Sequence, residues 1–161
     1  MLYWNDDATN LPAKMHSYYL RNMYLANKLK EPEALTFKGK KIDISKIKYP
    51  TYFLSCREDH IAPWRATYKG MKLLDGERRF VLSGSGHIAG VVNPPSKKKY
   101  GYWTSDKKPL KPETWGDKAE EHEGSWWTDW QSWIETHCKA KVDAREIKKE
   151  ICPAPGTYIK S

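Results

Sequence analysis

The sequence predicts an α/β fold, with parallel strands flanked by helices and an incomplete sheet. Thr51-Tyr52-Phe53-Leu54-Ser55 and Arg79-Phe80-Val81-Leu82-Ser83 are continuous β-prone runs without strict alternation. That is the pattern of strands covered on both faces, as in a parallel sheet. Between them Trp64, Tyr68, Met71 and Leu74 recur at helical spacing, with Pro63 in the first turn and Asp75-Gly76 closing the segment. Strand, helix and strand make one βαβ unit. A single such unit is too little for a self-sufficient open sheet, which is why the sheet is expected to be incomplete.

The other elements follow in chain order. Asn10 is placed as the N-cap of an amphipathic helix that begins with Leu11-Pro12 and carries Met15, Tyr18, Tyr19, Met23, Leu25 and Leu29. Pro32 ends it, and residues 37–42 read as a turn leading to short extended structure. After Pro94-Pro95 a Lys-, Pro- and Tyr-rich stretch to about Pro112 reads as an ordered but irregular surface loop with Tyr102 and Trp103 to bury. Thr128 is expected to cap a helix running to about Lys139, with Trp130, Trp133, Ile134 and His137 on one face, and the tail from Cys152-Pro153-Ala154-Pro155-Gly156 to be extended.

With 161 residues the chain fits one domain or part of one, and folding at this size hides roughly 70% of the extended chain's surface. The net charge of +8 suits nucleic acid, anionic lipid or an anionic cofactor and does not choose among them. The basic and aromatic residues are not interleaved as in RNA-binding motifs, so no nucleic-acid partner is expected. No apolar run approaches the ~20 residues of a membrane span, and the first residues lack a basic segment followed by an apolar one. Cys56, Cys138 and Cys152 are odd in number and without C-x-x-C spacing, which suits reduced thiols in a cytoplasmic protein and no metal site. Six of the eight tryptophans lie between Trp103 and Trp133, and Trp126, Trp127, Trp130 and Trp133 are expected to pack the C-terminal helix onto the sheet.

Two loops carry chemistry. Cys56-Arg57-Glu58-Asp59-His60 ends the first strand, and Gly84-Ser85-Gly86-His87-Ile88-Ala89-Gly90 follows the second. In α/β sheets, sites gather at the carboxyl ends of strands. Asp59 and His87 are 28 residues apart, about one helix and one strand, so they should emerge side by side on neighbouring strands. A carboxylate that fixes an imidazole tautomer is the second half of a nucleophile, His, Asp triad. The glycine loop also satisfies G-x-G-x-x-G/A, with Asp106 placed 20 residues past Gly86. A dinucleotide site needs a long helix starting there, however, and Asn93-Pro94-Pro95 stops one after little more than a turn. The order acid then histidine fits the α/β-hydrolase scheme, yet no G-x-S-x-G or G-x-C-x-G elbow occurs in the chain.

These residues resemble the class I poly(3-hydroxyalkanoate) synthases. The resemblance rests on residues 4–12 (Trp-Asn-Asp-Asp-Ala-Thr-Asn-Leu-Pro), Tyr19-Leu20-Arg21-Asn22, the run from Ser55 to Trp64, the run from Gly86 to Pro95, Gly124-Ser125-Trp126-Trp127, and Pro153-Ala154-Pro155-Gly156. It covers nearly the whole chain and implies the C-terminal portion of an α/β-hydrolase fold, with residues 1–30 as the end of a cap region and its connecting helix and residues 31–161 as the C-terminal portion of the catalytic domain. It also implies Asp59 as triad acid and His87 as general base, with His60 as a substrate-side neighbour. The family's cysteine nucleophile lies in an upstream G-x-C-x-G elbow that this chain does not contain. The implied reaction polymerises (R)-3-hydroxyacyl-CoA with release of CoA, with no cofactor. Implied partners are an N-terminal synthase portion, a second copy and the polyester granule surface. By itself the chain is expected to be inactive, and a noncatalytic remnant that binds intact synthase or the granule is the alternative. Lys97-Lys98-Lys99 and Lys107-Lys108 are read as solvated loop charges.

Overall fold

The computed structural model describes residues 10–138, 140–146, 148–153 and 156–157. The run at residues 4–9, the end of the last helix at Lys139 and the tail residues Ala154 and Pro155 lie outside them. The described residues within 1–26 and 140–161 form one compact unit, and those within 27–139 another.

In the first unit, helix α1 (Ala13–Tyr19) passes directly into a π-helical segment, Leu20–Leu25. The expected single helix from Leu11 thus starts later, because Pro12 occupies the capping position and its carbonyl accepts the His16 N–H at 3.0 Å. Its register widens where Ala26 N–H bonds the Arg21 carbonyl at 3.0 Å.

In the second unit Asn27, at φ 45, precedes a 3-10 turn at Lys28–Lys30. After that turn comes a hairpin of β1 (Leu35–Phe37) and β2 (Lys40–Ile42). Lys38 and Gly39 both have positive φ, 47 and 78, as a two-residue loop matching the strand twist requires. The main sheet has the order β3-β4-β5-β6, with β3 (Thr51–Cys56), β4 (Arg78–Ser83), β5 (Tyr102–Thr104) and β6 (Glu120–His122). Strands β3 and β4 are parallel, as expected for the βαβ unit, whereas β4/β5 and β5/β6 are antiparallel. The expectation of a parallel sheet is corrected here: the sheet is mixed and mostly antiparallel. The stretch read as an irregular loop contains β5, whose Tyr102 and Thr104 are buried while neighbouring lysines face solvent.

Helix α2 (Trp64–Met71) connects β3 to β4, and Pro63 precedes its first residue as the cap rather than occupying the first turn. Its apolar face meets α3 (Pro112–Gly116) in a core of Trp64, Tyr68, Met71, Phe80, Leu82 and Trp115. The rings of Tyr68, Phe80 and Trp115 lie 4.9 to 5.7 Å apart, edge-on or tilted, arrangements worth about 0.5–1.5 kcal/mol per pair beyond burial. Gly76 seats the return to β4: a Cβ there would meet the Lys48 carbonyl carbon and the Tyr49 oxygen at 2.7 Å.

Helix α4 (Trp127–His137) packs on the other face of the parallel pair. Tyr52 of β3 lies against Trp126 and Trp133, with ring centres 6.1 and 5.4 Å away. Asp129 accepts from the Tyr52 hydroxyl and from Arg79 Nε, each at 2.8 Å, and pairs with Arg79 Nη2 as well. Trp130, expected to pack inward, is 40% exposed. The helix starts before Thr128, since Ser125 Oγ accepts the Trp127 N–H at 3.1 Å.

Candidate active site

Asp59 and His87 follow β3 and β4, at the same end of the parallel pair. The pairing continues past the strands: Arg57 N–H donates to the Ser83 carbonyl at 2.8 Å and Glu58 N–H to the Ser85 carbonyl at 3.0 Å. This extension holds the two loops edge to edge. The Asp59 carboxylate then reaches His87, with Oδ2 2.8 Å from Nδ1, the hydrogen-bonded juxtaposition that the spacing predicts.

The other carboxylate oxygen, Oδ1, accepts the backbone N–H groups of Ile61 and Ala62, both at 2.9 Å. The side chain of Asp59 is 7% exposed, against 49% for His87. Burial alone pushes the Asp59 carboxyl up. The Ala62 N–H, the His87 ring, the Ile61 N–H and the histidine's charge outweigh it and hold the carboxyl below its ordinary value. An ionised carboxylate only accepts hydrogen bonds, so Nδ1 is the donor in this contact and Nε2 is the ring nitrogen left over. Among the described residues Nε2 has no hydrogen-bond partner. Chemically, such a pair can take a proton at Nε2 while the carboxylate stabilises the resulting imidazolium.

The His87 loop is a compact turn. Gly90 N–H returns to the Gly86 carbonyl at 2.9 Å, and Val92 N–H to the Ile88 carbonyl at 2.9 Å. No regular helix grows from the glycines, so the dinucleotide geometry is not formed. A Cβ on Gly90 would lie 2.5 Å from the Gly84 carbonyl oxygen and 2.7 Å from Cys56 Sγ. Cys56 is 1% exposed, and burial, with the nearby Asp59 charge, pushes its thiol up to about 11. A nucleophilic cysteine needs the opposite shift. Cys56 therefore packs the floor of the loop.

His60 is exposed, and among the described residues no hydrogen bond joins it to Asp59 or His87. Arg57 stacks over Trp103, its guanidinium carbon 4.8 Å from the ring centre. Lys97, Lys98, Lys99, Lys107 and Lys108 are exposed. The sequence reading missed the amides of Ile61 and Ala62 and the contacts made by Ser83, Ser125, Trp126 and Trp127. The run Gly124-Ser125-Trp126-Trp127 was its only signal for the last three. Among the described residues, no three His, Cys, Asp or Glu side chains converge to hold a metal ion, and no helix is long and apolar enough to cross a membrane.

Fold and site together define an α/β protein with a carboxylate-oriented histidine at the carboxyl ends of a parallel strand pair. No family model matches the sequence. Over 166 aligned residues the chain is 48% identical to the poly(3-hydroxyalkanoate) polymerase subunit PhaC of Cupriavidus necator, covering 100% of this chain and 28% of that protein. It is 47% identical over 163 residues to the subunit PhaC of Rhizobium meliloti, covering 99% of this chain and 26% of the relative. The poly(3-hydroxyalkanoate) polymerase of Methylorubrum extorquens is 44% identical over 165 residues, covering 99% and 27%. Over essentially its whole length the chain matches the C-terminal portions of poly(3-hydroxyalkanoate) polymerases at 44–48% identity. It spans 26% to 28% of the length of these curated relatives.

Proposed function

We propose that this chain supplies the acid and the general base of an acyltransferase that polymerises (R)-3-hydroxyacyl groups from CoA thioesters. The 2.8 Å bond between Asp59 and His87 at adjoining strand ends carries this reading. His87 Nε2 takes the proton of a cysteine thiol that lies outside this sequence, in a G-x-C-x-G elbow. The thiolate attacks the thioester carbonyl, a C–S bond to the enzyme forms, and the C–S bond to CoA breaks. CoA leaves as its thiol with the proton held by His87. In the next half-reaction His87 takes the proton of a 3-hydroxyl, whose oxygen attacks the enzyme's acyl thioester: an ester C–O bond forms, the C–S bond breaks, and the cysteine leaves as its thiol with the proton held by His87, which lengthens the polyester. Asp59 keeps Nδ1 protonated and stabilises the imidazolium, and His60, beside Asp59, faces the acyl substrate. The fold is the C-terminal portion of an α/β hydrolase with its sheet incomplete. Residues 1–30 belong to a cap region and its connecting helix, and residues 31–161 to the catalytic domain. No cofactor is needed, and the protein works in the cytoplasm at the polyester granule surface.

The test is colorimetric thiol release from (R)-3-hydroxybutyryl-CoA. The chain alone should release no CoA above background, because removing a triad nucleophile costs several powers of ten in rate. Turnover should appear on adding an N-terminal portion bearing the elbow, and His87→Ala or Asp59→Asn should abolish or cripple it. Turnover by the chain alone that vanished in Cys56→Ala would overturn the reading. A second reading, a noncatalytic module docking on intact synthase, draws on β3, which ends the sheet with one edge unpaired among the described residues. Pull-down with intact synthase, without restored turnover, would favour it.

A further inference from the structure

We infer that Trp126 is a positioning residue for His87, acting through the carbonyl of Gly90. This deepens the catalytic reading and rests on it, but its geometry stands independently.

Gly90 closes the turn that carries His87, and it is fixed from every side. Its N–H donates to the Gly86 carbonyl at 2.9 Å. Its carbonyl accepts Ser83 Oγ at 2.8 Å and the Trp126 indole N–H at 2.9 Å. Its α-carbon abuts Cys56 Sγ and the Gly84 carbonyl closely enough to exclude a methyl group. Two neighbouring side chains repeat the Trp126 contact: Trp127 Nε1 donates to the Val91 carbonyl at 3.0 Å, and Ser125 Oγ donates to the Asn93 carbonyl. Three consecutive residues at the start of α4 therefore hold three carbonyls of the segment that follows His87.

The anchor behind them is rigid. Helix α4 is tied to β3 and β4 by Asp129, which takes Tyr52 and both faces of the Arg79 fork. Trp126 also rests its ring on Tyr52. Asp59 is located by the other end of the same two strands, through the Arg57 and Glu58 amides. Strands β3 and β4 thus set both partners: they hold Asp59 through the backbone, and they hold His87 through Asp129, Trp126 and Gly90. Ser83 secures only one side of the Gly90 carbonyl. The half-exposed imidazole has no hydrogen bond on Nε2 among the described residues, so beyond Asp59 its aim depends on the turn beneath it.

The test uses the full chain and two NMR readouts. One is the His87 tautomer, from long-range imidazole 1H–15N correlations assigned with His87→Gln. The other is amide exchange at Gly90. Trp126→Phe, which keeps an aromatic ring but removes the N–H donor, should lower the Nδ1–H tautomer fraction of His87 and speed Gly90 exchange about five- to tenfold, as the loss of one hydrogen bond implies. Trp130→Phe, altering a half-exposed ring that bonds no loop carbonyl among the described residues, should change neither. If Trp126→Phe unfolds, Ser83→Ala removes the other donor to the same carbonyl and should shift both readouts in the same direction. Unchanged tautomer and exchange in a folded Trp126→Phe chain would overturn the inference. A parent chain without the Nδ1–H tautomer would remove the catalytic reading. The positioning role would then be decided by Gly90 exchange, with faster exchange supporting it and unchanged exchange refuting it.

Discussion

Replacing Asp129 by alanine tests how firmly α4 is held to the sheet. The Asp129 and Arg79 side chains are 11% and 29% exposed, between the exposed pairs that contribute about 0–1 kcal/mol and the buried pairs whose breakage costs about 3–5 kcal/mol. An intermediate value of about 2 kcal/mol fits that burial. The Tyr52 hydroxyl loses its acceptor as well, for about 1 kcal/mol, and an acid in the first turn of a helix adds about 0.3–1 kcal/mol. Asp129→Ala should therefore cost about 3–4 kcal/mol in urea unfolding followed by tryptophan fluorescence, a large part of a typical domain's stability. Asp129→Asn keeps an acceptor for Tyr52 and should lose about half as much, and Tyr52→Phe about 1 kcal/mol. Because the carboxylate serves both partners, Tyr52→Phe and Arg79→Met should be non-additive. A loss below about 1 kcal/mol for Asp129→Ala would show that the ion pair is solvated rather than structural, and the account of how α4 is anchored would fail.

Three further outcomes are expected. Gly90→Ala should destabilise the chain by about 2–3 kcal/mol in the same unfolding assay. Cys56→Ala should not rescue it, because the Gly84 carbonyl oxygen, at 2.5 Å, is the nearer obstacle. Iodoacetamide at pH 8 should label exposed Cys138 and Cys152 well before Cys56, whose buried thiol stays protonated up to about 11; mass-spectrometric labelling of Cys56 at an equal rate would contradict the packing under Gly90. The Asp59 carboxyl is held below its unfolded value of about 3.9. Its contribution to stability is therefore complete above that value and is lost as pH falls through the lower, folded-state value. Urea titrations from neutral pH down through the acid range should show a steeper loss for the parent chain than for Asp59→Asn, and equal slopes would remove the assigned environment of Asp59.

The sequence by itself determined the local features whose causes are local. The apolar runs of β3 and β4, the helical spacing of Trp64, Tyr68 and Met71, and the count of residues between Asp59 and His87 were enough to expect a parallel pair with both side chains at one end. That expectation holds because parallel neighbours joined by one crossover helix have little freedom of register. Tertiary structure decided the rest. Three-residue strands such as Tyr102–Thr104 and Glu120–His122 are too short for periodicity to reveal, and they exist because β4 offers an edge for β5 to pair with. Trp115 became the centre of the core and Trp130 a surface residue, although both belong to the same tryptophan-rich stretch, since burial depends on which face of a helix meets another element. The hold of Trp126 on Gly90 spans 36 residues, and no spacing rule predicts an indole N–H meeting one particular carbonyl. Composition and periodicity report a residue's own preferences and those of its near neighbours, whereas the aim of a half-exposed histidine is set by backbone groups that only the folded chain brings together.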